Sequence, residues 1–318
     1  MKAIITGATG GLGRNLLEFL VLQNWQVVAF GRDEKIGKSL DVEFYAFDLS
    51  DFEQTKKNFQ KADIVFHCAA LSSPWGKYEE FYKANVIATK NVLKAMELFN
   101  IKKIVHVSTP SIYFDFQDRF EIKEEFIPTK FVNDYAKTKY KAEQLVLNSS
   151  VFSVIIRPRA IFGEYDKVLV PRLEKVALKG FLPIIKNKKT IVDVTYVGNV
   201  VNALYLASIK DIPSKSIFNI TNDEPMDIQE VFSLLMETIK IKTKFKYISY
   251  FVFFYLATIL EIISKLGFIK EPFLTKYGVG VISKSQTLDI SKAKNILGYK
   301  PIYTIKEGLQ RYAKYRNL

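Results

Sequence analysis

The 318-residue sequence predicts an α/β protein, a doubly wound parallel sheet followed by a smaller, mostly helical C-terminal cap. Three observations carry that expectation. The N-terminus reads as a short apolar strand, a glycine-rich turn and a helix. Strand and helix patterns then alternate as far as about residue 165, and beyond it the alternation is lost.

Taken in order, Lys2 to Thr6 is a strand, Gly7 to Gly13 turns the chain, and Leu12, Leu16, Leu17, Leu20 and Val21 recur at helical spacing. Val27 to Phe30, Val42 to Phe47, Ile64 to His67 and Ile104 to Ser108 read as strands two to five, with helical stretches between most of them. Such alternation implies parallel strands, right-handed crossovers and helices on both faces. A helix from Tyr135 to Leu147 precedes a sixth strand, Phe152 to Arg157, which ends in Arg157-Pro158-Arg159-Ala160-Ile161-Phe162-Gly163. After that, helical segments dominate apart from a strand at Ile217 to Thr221. Residues 1–165 are expected to form the nucleotide-binding domain and 166–318 the substrate cap, with about 191–222 returning to the first domain. No internal repeat or low-complexity linker interrupts this plan.

Composition narrows the function. The net charge of +13 comes from lysines that outnumber arginines and are scattered through the chain, so it reads as a solvated surface rather than a nucleic-acid arm. Cys68 is the sole cysteine, which excludes an internal disulfide and suits core packing. With two histidines, the usual residues supply no metal-ligand cluster. The N-terminus lacks the regions of a signal peptide, so a cytoplasmic location is expected. Tyr247 to Leu260 is uncharged and strongly apolar, yet shorter than the about 20 residues that span a bilayer. Three readings stay open for it: a core helix, the wall of a lipid-binding cleft, or a peripheral membrane contact through 247–270. In the last, Lys244, Lys246, Lys265 and Lys270 reach toward the surface.

The glycine turn has the spacing of a dinucleotide site. Gly7 permits the tight turn, Gly10 lets backbone amides approach a pyrophosphate, and Gly13 lets helix and strand pack closely. Thr9, Gly11 and Leu12 stand in the same loop and are cofactor-binding candidates with them. The helix that follows aims its amides and positive dipole end at the phosphates. At the end of the second strand, Phe30-Gly31-Arg32-Asp33 places glycine where an acidic residue would bind the ribose 2′-hydroxyl of NAD. Arg32 follows, and guanidinium pairs with phosphate, so NADP is preferred over NAD. Asp33 keeps NAD open.

Tyr135-Ala-Lys-Thr-Lys139 lies a domain's length further on. Four residues apart on a helix, tyrosine and lysine share a face. The lysine ammonium, together with an oxidised nicotinamide, lowers the phenol pKa, so Tyr135 can give or take a hydroxyl proton as acid/base. The two motifs in this order read as an oxidoreductase.

With these residues in place, the chain resembles the extended short-chain dehydrogenase/reductase family, also called the NAD-dependent epimerase/dehydratase family. The matching segments are the Gly7-Gly10-Gly13 turn, Asp48-Leu49, Cys68-Ala69-Ala70, Asn85 in Tyr82-Lys83-Ala84-Asn85-Val86, Val107-Ser108-Thr109, Tyr135 with Lys139, and Arg157-Pro158-Arg159. The resemblance implies a Rossmann sheet and NAD(P). It implies that Asp48 and Leu49 touch the adenine, that Ala69 and Ala70 line the pyrophosphate and nicotinamide side, and that Pro158 flanks the nicotinamide. Asn85 and Ser108 join the cofactor set, as do Tyr135 and Lys139. A hydroxyl four residues before a tyrosine holds the substrate oxygen in this family; counting back from Tyr113 gives Thr109, with Ser108 and then Ser111 behind it. Pro110-Ser111 stands where dehydratases carry Asp-Glu, which argues against dehydration. A homodimer through the Tyr135 helix is the family's common assembly.

Two classes of small-molecule substrate compete. Nucleotide-sugar epimerases need basic cap residues for a diphosphate, and Arg159, Arg172 and Lys186 are candidates. The 3β-hydroxysteroid dehydrogenase-like branch acts on sterol-like or lipid-like alcohols and ketones. The apolar cap stretch, the NADP preference and Phe114 after Tyr113, where the sugar enzymes commonly have glycine, favour the second. Trp75, Tyr78 and Ser111 are further substrate candidates. The expected function is hydride transfer on a hydrophobic secondary alcohol or ketone, with nucleotide-sugar epimerase as the alternative. A non-enzymatic NADP-binding sensor or scaffold is the third reading, and such relatives commonly lack the Tyr-Lys pair.

Overall fold

The computed structural model describes residues 1–318. The first third comprises β1 (Lys2–Thr6), α1 (Gly11–Leu22), β2 (Gln26–Gly31), α2 (Glu34–Gly37), β3 (Glu43–Ala46), α3 (Phe52–Asn58), β4 (Ile64–His67), α4 (Tyr78–Phe81), α5 (Ala88–Leu98) and β5 (Lys103–Val107). Next come β6 (Arg119–Ile122), α6 (Asp134–Leu147), β7 (Phe152–Pro158), β8 (Ile161–Phe162), α7 (Leu169–Ala177), β9 (Phe181–Ile185), β10 (Ile191–Val192), β11 (Thr195–Tyr196), α8 (Val197–Ile209) and β12 (Ser216–Ile220). The chain ends with β13 (Met226–Asp227), α9 (Ile228–Thr238), β14 (Lys244–Ile248), α10 (Tyr250–Lys265), α11 (Lys276–Ser283), β15 (Gln286–Leu288) and α12 (Ile305–Tyr315).

Seven strands form one parallel sheet in the order β12-β7-β5-β4-β1-β2-β3. Period-two alternation sends Ala3, Ile5, Val27, Ala29 and Phe66 to one face, where Leu16, Leu17 and Leu20 of α1 and Val200 and Leu204 of α8 cover them. Ile4, Val28, Phe30 and Val65 go to the other, against Val92 and Met96 of α5. Both faces are buried, which is why the strands read as nearly continuous apolar runs. Strand order reverses between β1 and β4, opening a crevice at their carboxyl ends.

The C-terminal part is helix-rich and builds a second core from Phe162, Val170, Leu182, Tyr196, Phe232, Leu235 and Tyr312. It also holds strands that the sequence does not announce. β9 and β14 pair in parallel, and β13-β10-β15-β6 forms a mixed sheet that recruits β6 from before α6. Strands of two or three residues, as β10, β13 and β15 are, are too short to show an alternation of their own.

The core-helix reading of 247–260 is corrected. Of α10 only Ala257 and Glu261 are buried, while Phe251 is 77% and Tyr255 74% exposed. Its inner side packs Phe254 against Phe116, and the Glu261 carboxylate accepts from the Lys276 backbone N–H at 2.7 Å. No helix is long and apolar enough to cross a membrane.

Candidate active site

Gly7 turns the chain at φ +72°, the left-handed region that favours glycine. A Cβ there would stand 2.7 Å from the Ala69 nitrogen, and one on Gly13 would stand 2.3 Å from the Gly7 carbonyl oxygen. These approaches press α1 against β1 and bring Ala69 beside the turn, with Ala70 next in the chain and exposed. Gly10 is the N-cap and offers no side-chain oxygen to the first-turn amides of α1, so they are available to an anion. Asn15 ties the turn to the loop after β8, donating to the Gly11 and Glu164 carbonyls at 2.9 Å each. Leu12 is half-buried against both major cores.

At the far end of this groove, a Cβ on Gly31 would meet the Thr9 hydroxyl at 2.7 Å, so an acidic side chain cannot enter without displacing Thr9. Arg32 is exposed. The Asp33 carboxylate is engaged as N-cap of α2, accepting from Ile36 at 3.0 Å. Asp48 accepts from the Ser50 N–H at 3.0 Å and pairs with Lys83 at 3.4 Å. Partial burial works to raise its pKa, but Ser50 and Lys83 outweigh that and hold it below the ordinary value. The neighbouring Leu49 is buried, and its carbonyl accepts from Asn91 at 2.9 Å.

Asn133 caps α6 and places Tyr135 on its first turn, with Lys139 one turn on. Around the Tyr135 phenol stand the hydroxyls of Thr109 and Ser72. Burial raises the phenol above its ordinary value, and those two hydroxyls oppose the rise. The expected lowering needs Lys139 together with an oxidised nicotinamide; in the protein alone, burial prevails over the two hydroxyls. The Lys139 ammonium instead donates to the Val107 carbonyl at 2.7 Å, and burial brings its own pKa down to about 8. Of the three hydroxyl candidates, Thr109 is the one beside Tyr135. Ser108 is buried with its Oγ unpartnered, and Ser111 accepts from Thr109 at 3.1 Å.

A polar layer lies behind these groups. Asn85, on a π-helical stretch between α4 and α5, accepts from the Leu71 N–H at 2.8 Å and donates to Thr138 at 3.1 Å. Its amide is spent on fixing the loop after β4 to α6. His67 bonds Thr6 at 2.7 Å and Thr89 at 2.9 Å, and His106 lies over it at 5.2 Å with neither nitrogen partnered. Burial first, then the Lys139 charge, pulls His67 down to about 3 and His106 well below its ordinary value. Burial pushes the Cys68 thiol up to about 12.

Arg157 is a strut. Fully buried, it pairs with Glu143 of α6 through two nitrogens, one at 3.0 Å, and also donates to Tyr113 Oη and, at 2.8 Å, to the Glu124 carbonyl. Pro158 is buried at the strand end, and Arg159 beyond it is buried with its Nε unpartnered.

The cap completes the cluster. Tyr277 of α11 bonds Ser111 at 2.9 Å and stands edge-on to Phe114, which contacts Phe116. Trp75 is half-buried in a loop whose backbone bonds to Ser73. Arg172 lies on α7, nearly half exposed, 4.0 Å from Glu271, and Lys186 is exposed. Neither joins the polar cluster at Tyr135. Ser72 and Tyr277 were missing from the sequence reading. Ser72 had a usable signal, lying two residues past Ala70, whereas Tyr277 has no local one.

The NAD dependent epimerase/dehydratase family model matches residues 3–221. The chain is 35% identical to YbjS of Escherichia coli (strain K12), over 98% of this chain and 97% of that protein. It is 32% identical to a 2-alkyl-3-oxoalkanoate reductase of Stenotrophomonas maltophilia (strain K279a), over 98% of each. A sterol-4-alpha-carboxylate 3-dehydrogenase, decarboxylating, of Candida albicans is 31% identical over 97% of this chain and 95% of that one. In fold it is similar to MoeE5 in complex with UDP-glucose and NAD, with a TM-score of 0.78 at 21% identity, covering 100% of this chain and 99% of that one.

Proposed function

The chain belongs to the NAD-dependent epimerase/dehydratase family, and from that premise we propose that it is an NADP-preferring oxidoreductase of hydrophobic secondary alcohols or ketones. The observation that carries the reading is the Tyr135 phenol beside Thr109, with Thr109 joined through Ser111 to Tyr277 of the cap, whose ring stands edge-on to Phe114. Relatives named for 2-alkyl-3-oxoalkanoates and sterol carboxylates support a substrate with an apolar skeleton. Of the three basic candidates for a nucleotide diphosphate, Arg172 and Lys186 are exposed and away from the Tyr135 cluster, which leaves Arg159 alone for two phosphates.

The glycine turn fits a dinucleotide: the uncapped amides of α1 suit a pyrophosphate, while Asp48 with Leu49, and Ala69 with Ala70, line its two ends. When bound, the nicotinamide accepts or supplies the hydride. Thr109 holds the substrate oxygen, and Tyr135 Oη takes its proton on oxidation or returns it on reduction. Lys139 supplies positive charge beneath the phenol and is anchored by the Val107 carbonyl. NADP is favoured because Thr9 bars an acid at position 31, Asp33 is engaged as a cap and Arg32 is exposed.

We also propose that α10 rests on an anionic membrane surface. Its outer face is apolar, and Lys186, Lys188 and Lys284 share a groove with Tyr250 and Phe251 at its start, while Lys265 and Lys270 flank its end. A homodimer, with 1–165 plus about 191–222 as the cofactor domain, completes the proposal and is checked by sedimentation. The reaction is tested by titrating cofactor-stripped protein with NADPH and NADH, then screening ketones and alcohols by nicotinamide absorbance. Preference for NADPH with turnover of hydrophobic ketones supports the reading. Tight NAD binding with interconversion of a UDP-sugar would refute it.

A further inference from the structure

Two arginines flank Pro158, and the structure treats them differently. Arg157 has a partner for each nitrogen that it uses and braces β7 against α6. Arg159 is 5% exposed, has no carboxylate within ion-pair distance, and its Nε is buried without a partner. Tyr277 and, at longer range, Asp193 offset part of the cost of burying this guanidinium, and its Nε is left for a further partner.

Its main chain is held firmly. The Arg159 N–H donates to the Ile220 carbonyl at 3.0 Å, and its carbonyl accepts from Thr195 Oγ1 at 2.5 Å. The next residue, Ala160, has φ +43°, a strained value for alanine that these bonds sustain. Two polar side chains stand near the guanidinium, Tyr277 and Asp193. The Asp193 carboxylate is engaged with the Leu288 N–H at 2.7 Å. Tyr277 begins a run of hydroxyls, through Ser111 at 2.9 Å and Thr109 at 3.1 Å, that ends at the Tyr135 phenol. The charge therefore stands on the same hydroxyl run as the proton-transfer group, inside an aromatic cap.

We propose that Arg159, with the Tyr277 hydroxyl, binds a carboxylate of the substrate, so that the enzyme selects hydrophobic 3-hydroxy or 3-oxo acids over the corresponding neutral compounds. This rests on the oxidoreductase reading above, which places the reacting oxygen at Tyr135 and hence the acid group a few bonds away. Guanidinium matches a carboxylate bidentately, and a pairing buried this deeply discriminates strongly against a partner lacking the charge.

The test compares a 2-alkyl-3-hydroxyalkanoate with its methyl ester, oxidised with NADP by the wild type, Arg159→Gln and Arg159→Lys. The wild type is expected to prefer the acid. In Arg159→Gln the acid-to-ester ratio of kcat/KM falls about 100-fold, Arg159→Lys restores part of it, and NADP affinity is unchanged in both. Equal loss on acid and ester, or a preference that survives in Arg159→Gln, overturns the assignment. If neither compound turns over, the reaction reading fails, and calorimetry of acid and ester against the NADP-loaded proteins still decides the carboxylate site. Acid binding lost in Arg159→Gln upholds it. No acid binding to the wild type, or equal binding to both proteins, refutes it, and tighter binding of UDP than of the acid assigns Arg159 to a diphosphate instead.

Discussion

Arg157→Met removes the strut beneath the active-site helix. Methionine keeps much of the buried stem, so the loss is mainly polar. Glu143, wholly buried on α6, is left as a charge without its partner, which costs about 3–5 kcal/mol. The Glu124 carbonyl loses a donor at 2.8 Å, worth about 1 kcal/mol, while Tyr113 keeps its bond to Asn219 at 2.8 Å. A total of about 5 kcal/mol is comparable with the stability of many domains, so the variant is expected to fold marginally. Its Tm should fall by about 10 °C or more, read by calorimetry and urea titration. Adding Glu143→Gln removes the stranded charge and should recover about half of the loss in a double-mutant cycle. A cost below about 1 kcal/mol, or no recovery on adding Glu143→Gln, would refute the reasoning.

Tyr135→Phe should keep NADPH affinity and lose about 100-fold or more in kcat, since the ring still packs but carries no transferable proton; a fully active variant sinks the mechanism. Arg32→Ala should weaken NADPH binding about 10-fold or more and leave NADH nearly unchanged, and equal losses in calorimetry would show that Arg32 does not read a phosphate. Lys139 has a folded pKa of about 8, lowered chiefly by burial, so the unfolded chain binds more protons between about pH 8 and its ordinary value near 10.5. Stability from this group rises with pH across that window. Lys139→Met should therefore be favoured relative to wild type at pH 8 and lose that relative advantage by pH 10.5, in parallel thermal unfolding curves; a difference constant with pH contradicts the assignment. Replacing Phe251, Tyr255 and Ile262 of α10 by serine should abolish flotation with phosphatidylglycerol vesicles in a variant whose unfolding curve is unchanged. Flotation that persists, or a wild type that fails to float, removes the membrane contact.

The sheet was legible because its strands are buried on both faces and separated by helices, which leaves apolar runs such as Ile64 to His67 with little competing explanation. Turn chemistry located Gly7 and Gly13, where backbone contacts of 2.7 Å and 2.3 Å leave no room for a side chain. The cap was less legible for opposite reasons. β10, β11 and β13 are two residues each, and β6 pairs with a strand more than 160 positions away, so no local pattern marks them. The outward apolar face of α10 also looks the same in sequence as an inward one, because hydropathy records the side chain and not what covers it.

The same division runs through the site. Tyr135 and Lys139 announce themselves because one helical turn dictates their relation, whatever the rest of the chain does. Asn85, Arg157 and Tyr277 acquire their roles from partners 14 to 166 residues distant: Leu71 for the first, Glu143 for the second and Ser111 for the third. Of the two arginines beside Pro158, sequence alone cannot say which is structural. Burial does not separate them either, since both are nearly inaccessible. What separates them is hydrogen-bond satisfaction: every guanidinium nitrogen of Arg157, which ties strand to helix, has a protein partner, whereas the Arg159 Nε has none. A buried cation with an unfilled donor costs stability in every molecule that carries it, and the proposed carboxylate would both fill that donor and neutralise the charge.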